Sequence, residues 1–278
     1  MTQDVWISVA DLAARPERVV LLDVRYALGD PNGQQHYLAG HLPGAVYVDL
    51  DTELAAPPTP AVGRHPLPDS VDLQRSARRW GIGADDLVVA YDDWNGMAAA
   101  RAWWLLRWAE VGEVRILDGG LAGWVRAGLP VEAGEVTPEP GDVELTTGGM
   151  PVLDADAAAV LARDGILLDA RAGERYRGET EPIDPRAGHI PGARSAPTAG
   201  NVDADGLLRP VAELTSRFAR VGVAGPQPVG VYCGSGVTAA HEVAVLAGCG
   251  IDAALYPGSW SQWSSDPGRP VATGAEPG

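Results

Sequence analysis

Residues 228–248, PVGVYCGSGVTAAHEVAVLAG, set Cys233 between a short β-branched run and an apolar helix expected to begin near Thr238. Gly234 and Gly236 permit backbone conformations closed to other residues, so the N–H groups of residues 234–238, Val237 included, can turn toward the Cys233 sulfur. A helix starting there adds unpaired N–H donors and a partial positive end, which favour thiolate over thiol. The hydroxyls of Ser235 and Thr238 are expected to donate to the same anion. Charge-assisted hydrogen bonds contribute about 1.5–3 kcal/mol each, so two or three would keep this cysteine ionised. The chemistry implied is nucleophilic. Phosphatases with a cysteine in a phosphate-sized cradle place an arginine six positions later; here that position is Ala239. The loop is therefore suited to a smaller, softer group such as a persulfide.

Cys249, at the far end of the same helix, is the contrasting case: the helix dipole disfavours an anion there, and an inert packing role is expected. Two cysteines in 278 residues are too few for a disulfide framework or a Cys-rich zinc site, and no metal or organic cofactor is expected. The net charge of −16 disfavours nucleic acid and anionic membrane as partners. No leader-like or spanning apolar run is apparent, which makes the cytoplasm the expected compartment.

The elements that must position the loop are written twice. VVLLDVR at 19–25 answers GILLDAR at 165–171, and AGHLPGA at 39–45 answers AGHIPGA at 187–193. LVVAYDD at 87–93 answers VGVYCGS at 229–235, and DGGLAGW at 118–124 answers YPGSWSQW at 256–263. Four ordered pairs at near-constant spacing imply tandem duplication. Residues 132–150, rich in Gly, Pro, Thr and acids, read as a linker, giving domains 1–131 and 151–278. Short β-branched runs at 18–23 and 86–91 alternate with helical stretches at 69–80 and 97–110, so each copy is expected to be α/β, a parallel sheet flanked by helices. Asp23 with Arg25 and Asp169 with Arg171 fall where a strand gives way to a loop, fitting either a site or a salt bridge.

In the CGSGVT loop, the paired LLD strands and the HLPGA and HIPGA boxes, the chain resembles tandem-domain members of the rhodanese superfamily of sulfurtransferases, across about residues 5–272. The resemblance implies one site per chain, because Asp92 stands at the cysteine position of the first copy. It implies that the first copy still lends Asp51 and His65 across the interface. Read without the resemblance, His65 is an exposed loop histidine. It also implies that Arg175 and Arg186 anchor the substrate, and that His189 and Pro191 shape a turn. Because mercaptopyruvate-using relatives resemble the Gly-Ser form found after this cysteine, the resemblance implies 3-mercaptopyruvate as sulfur donor; thiosulfate, a non-catalytic persulfide carrier and a phosphatase-like hydrolase are the alternatives. The acceptor implied is cyanide in an assay, or a thiol such as thioredoxin or a small thiol.

Overall fold

The computed structural model describes residues 5–278 apart from Pro16 and Leu28. Both copies are α/β units around a wholly parallel sheet. In the first, the strand order is Trp6–Ile7, Glu113–Leu117, Leu87–Tyr91, Val19–Asp23, Val46–Tyr47. In the second it is Arg194–Ser195, Ile166–Asp169, Val229–Tyr232, Ala254–Leu255. Val152 adds a single parallel bridge to Leu255 beyond that last strand, a remnant of the edge that Trp6–Ile7 forms in the first copy. The central strands LVVAY and VGVY are buried at every position, as strands covered by helices on both faces must be.

Helix boundaries follow local chemistry. The Asp69 carboxylate accepts from Val71 N and caps the Ser70–Arg79 helix, whose last turn carries Arg78 and Arg79 against the dipole. The Asp154 carboxylate does the same at the start of Ala155–Asp164. Residues 132–150 contain no helix or strand, yet they are strapped to the first copy: Gly141 N bonds Arg78 O, Gly148 and Gly149 N both bond Trp108 O, and Val143 is buried.

Each copy keeps a smaller apolar cluster of its own, and the principal cluster runs through both copies. Its bridge is a pair of helices, Ala99–Trp108 and Thr238–Gly248, that pack on each other across the interface. Both are alanine-rich and buried on nearly every face, so each covers its own sheet and its counterpart at once. Trp103 and Trp104 fill this core.

That shared core encloses polar groups. Thr198 Oγ1 meets His241 Nδ1 at 2.7 Å, and Asn201 Nδ2 donates to Glu242 Oε2 at 2.5 Å. Burial pushes His241 down to about 3, leaving it neutral, and pushes Glu242 up to about 7. Between 4.5 and about 7 the folded state keeps a Glu242 proton that the unfolded chain releases, so this group's contribution falls as pH rises through that window. Glu242→Gln is therefore expected to stabilise the protein at pH 8 by about 1–3 kcal/mol, with little effect at pH 4.5; urea unfolding at the two pH values checks this.

Candidate active site

Cys233 follows the Val229–Tyr232 strand at the carboxyl edge of its sheet, where open α/β folds place their sites. Gly236 N–H donates to its Sγ at 3.1 Å. Gly236 has φ +80°, and a β-carbon there would lie 2.6 Å from Pro257 O, so the turn that presents this amide requires glycine. The fourth repeated motif holds the loop from behind: Trp260 N bonds Cys233 O at 3.0 Å and Ser261 N bonds Gly234 O at 2.9 Å. Leu121 N bonds Asp92 O at 2.9 Å in the first copy, in the same manner.

The first copy displays what the loop is built to hold. Asp92, fully buried, accepts four backbone N–H bonds: from Trp94 and Gly96 at 2.8 Å on Oδ1, and from Ala98 at 2.7 Å and Ala99 at 2.9 Å on Oδ2. Asn95, the counterpart of Gly236, is likewise left-handed, with φ 58°. Burial raises the Asp92 carboxyl above its ordinary value, against the downward pull of these four amides.

Across the interface, His65 Nδ1 lies 2.7 Å from Ser235 Oγ, and His65 Nε2 lies 3.0 Å from Asp51 Oδ1. A carboxylate only accepts, so Nε2 carries the ring proton, Nδ1 accepts, and Ser235 donates. The Ser235 hydroxyl is thus engaged by His65 in place of the sulfur anticipated for it. His65 is 7 % exposed, where a loop histidine read by itself would be solvated. Burial and the charge of Arg101 hold it below its ordinary value against the pull of Asp51, which keeps the ring neutral near neutral pH.

A cavity of about 270 Å³ opens over this loop, sized for a small organic acid. Cys233, Gly234, Ser235, Val237 and Thr238 form its floor, Tyr26, Trp94 and Met97 of the first copy one wall, and Arg64, Arg171 and Arg175 its basic side. Arg175 bonds Glu181 through Nε at 3.3 Å and Nη2 at 2.6 Å, and reaches Asp184 through Nη2 at 3.2 Å. Its Nη1 carries no protein hydrogen bond among the described residues. Arg171 is held by Asp169, with Nη2 to Oδ2 at 2.6 Å, and Arg25 by Asp23 at 2.8 Å, so the strand-end pairs are salt bridges, the first of which also borders the cavity.

Arg186 is not brought to the cavity. Its guanidinium donates to the carbonyls of Ser264, Arg269, Trp263 and Asp266, closing the end of the Ser259–Ser265 helix. All its guanidinium nitrogens are engaged there, so the arginine that the resemblance implied as a second anchor is instead a helix cap. Trp260 stacks on Arg171, which lines the cavity, at 4.6 Å, and Trp263 stacks on Arg269 at 4.8 Å. His189 bonds Tyr176 O at 2.8 Å and shapes the turn expected of it.

Two residues escaped sequence reasoning. Arg64 reaches over the loop from the first copy. Arg101, wholly buried, donates to the carbonyls of Leu54, His65 and Pro66 on one side of the interface and of Gly236 on the other. An arginine amid the apolar run AARAWWLL was the available signal. Cys249 lies at the helix end with its thiol raised by burial. Both cysteines are free.

Comparison with known proteins agrees with this fold. The Rhodanese-like domain family matches residues 8–127 and again 154–266. A Mycobacterium tuberculosis protein named "Putative thiosulfate sulfurtransferase SseB" is 48% identical, with 97% of each chain covered. A Pseudomonas aeruginosa protein named "Probable 3-mercaptopyruvate sulfurtransferase" is 46% identical over 96% of this chain and 98% of its own. The crystal structure of the 3-mercaptopyruvate sulfurtransferase SseA from Escherichia coli superposes with TM-score 0.82 at 34% identity, covering 93% of this chain and 99% of that one. With both copies matched and full-length relatives on either side, this chain belongs to the rhodanese family, as a tandem-domain sulfurtransferase.

Proposed function

We propose that the chain takes sulfur from 3-mercaptopyruvate onto Cys233 as a persulfide and passes it to a thiol, releasing pyruvate. The observation that carries the donor assignment is the Ser235, His65 and Asp51 chain beside the nucleophile. When the Cys233 thiolate attacks the donor sulfur, a sulfur–sulfur bond forms and the sulfur–carbon bond breaks, leaving its electron pair on the methylene carbon as pyruvate enolate. That carbon must gain a proton, and the donor thiol must lose one. Ser235 can hand its hydroxyl proton to the enolate and recover one through His65, so the thiol proton ends on pyruvate and the persulfide remains as an anion. Thiosulfate would release sulfite, a stable anion that needs no proton, and would leave this chain idle.

Asp92 supports the persulfide half of the proposal. Its carboxyl oxygens lie two bonds beyond Cβ, as the outer sulfur of a cysteine persulfide does, and accept the backbone N–H bonds that such a sulfur would need. The first copy thus holds a built-in analogue of the intermediate in an amide cradle. A thiol acceptor then attacks the outer sulfur and restores the Cys233 thiolate. A small thiol or a thioredoxin-like dithiol fits the opening, and both belong to the reducing cytoplasm we assign to the chain. Among the described residues no helix is long and apolar enough to cross a membrane.

The name of the mycobacterial relative favours thiosulfate as a second reading. Steady-state kinetics with each donor separates the two. Wild type is expected to prefer mercaptopyruvate, and Ser235→Ala to lose about 100-fold or more with mercaptopyruvate but under about 10-fold with thiosulfate. Equal losses on both donors, or a wild-type preference for thiosulfate, would remove the donor assignment.

A further inference from the structure

We propose that Arg64, supplied by the first domain, is the second guanidinium that grips the donor's carboxylate, closing a two-arginine clamp with Arg175 across the interface. The inference rests on the mercaptopyruvate reading and deepens it. Arg64 Nη2 and Arg175 Nη1 converge on one place: a β-carbon on Gly234 would lie 3.0 Å from the first and 3.5 Å from the second. Neither nitrogen has a protein partner among the described residues, and both arginines line the cavity that holds Cys233. Two free terminal nitrogens, one from each guanidinium, beside one point next to a nucleophile form a receptor for a carboxylate, which can accept a charge-assisted hydrogen bond from each.

The clamp is set before the donor arrives. Asp184, whose side chain is 3% exposed, bonds Arg64 Nη1 through Oδ1 and Arg175 Nη2 through Oδ2, so one buried carboxylate fixes the spacing of the two guanidiniums from behind. Arg64 N donates to Ser261 Oγ at 3.1 Å, and Gly63 lies so close that a β-carbon there would meet Gly258 O at 2.7 Å. The segment carrying Arg64 is therefore seated on the second domain. Preorganisation of this kind lowers the ordering cost of binding. The clamp also gives Gly234 a reason: a side chain at this position would fill the space between the two nitrogens, and a basic one would repel both.

The test pairs a donor with and without the carboxylate. Wild type and Arg64→Gln are compared with 3-mercaptopyruvate and with mercaptoacetone, which keeps the sulfur, methylene and ketone but carries a methyl group for the carboxylate. The clamp predicts that Arg64→Gln loses about 10- to 100-fold in kcat/KM with mercaptopyruvate, mainly through KM, and under about 3-fold with mercaptoacetone. Arg64→Lys, a single point charge, should recover only part of the loss. An equal loss on both donors would make Arg64 a structural tie and overturn the clamp, as would no loss on either. Failure of the underlying donor reading shows separately, in wild type alone, as a preference for thiosulfate.

Discussion

Replacing Cys233 by serine abolishes sulfur transfer, with turnover falling more than about 1,000-fold on either donor while the fold stays intact. A hydroxyl at this position fits: Cys233 is 2% exposed and its Sγ accepts one bond, from Gly236 N, which an oxygen can also accept. What serine lacks is the chemistry, since an alkoxide is not accessible near neutral pH and an oxygen–sulfur adduct is not a persulfide. Cys249→Ala is the matching control and should leave turnover unchanged, because that thiol sits at the opposite end of the Thr238–Gly248 helix. Donor-dependent turnover and the thermal midpoint of both variants check the pair of expectations.

Arg101→Met carries the largest expected cost in stability, on the order of 3–5 kcal/mol. Methionine fills much of the volume but leaves the carbonyls of Leu54, His65, Pro66 and Gly236 without the donor that reaches them all. Those carbonyls belong to the segment bearing His65 and to the turn that presents Gly236 N–H to the sulfur, so both halves of the site lose registration together. A shift of about 1 Å there costs roughly 100-fold in rate. The guanidinium is also a buried cation: burial lowers it to about 10, and the Cys233 thiolate is the charge that pulls it back. Arg101→Lys should restore little, because an ammonium cannot span four carbonyls on two domains. Urea unfolding, with turnover measured where the variant is still folded, separates the two effects; full activity in a folded Arg101→Met would contradict the positioning role.

Features encoded within a few residues were legible in the sequence. The CGSGVT turn, the helix after it and the strand before it are local, and so is the correspondence of Asp92 with Cys233, which needs only the two copies laid side by side. Features made by docking the copies were not. His65 reads as a solvated loop residue until the second domain covers it. Arg64, of which the sequence suggests nothing, is carried over the loop by a segment pinned to Ser261 of the second copy. Arg186 is lost to a contact within its own copy but distant along the chain, the carbonyl end of the Ser259–Ser265 helix. The continuity of the principal core across both copies could have been suspected from two alanine-rich, largely apolar helices, since a helix with so little polar surface needs a partner on each side.

The most direct test of the account is the intact mass of the protein after exposure to 3-mercaptopyruvate with no acceptor present, followed by peptide mapping. The account predicts a gain of one sulfur atom per chain, located on Cys233, absent in Cys233→Ser and discharged by added dithiol. A sulfur found on Cys249, or donor consumption with no sulfur retained on the protein, would contradict it.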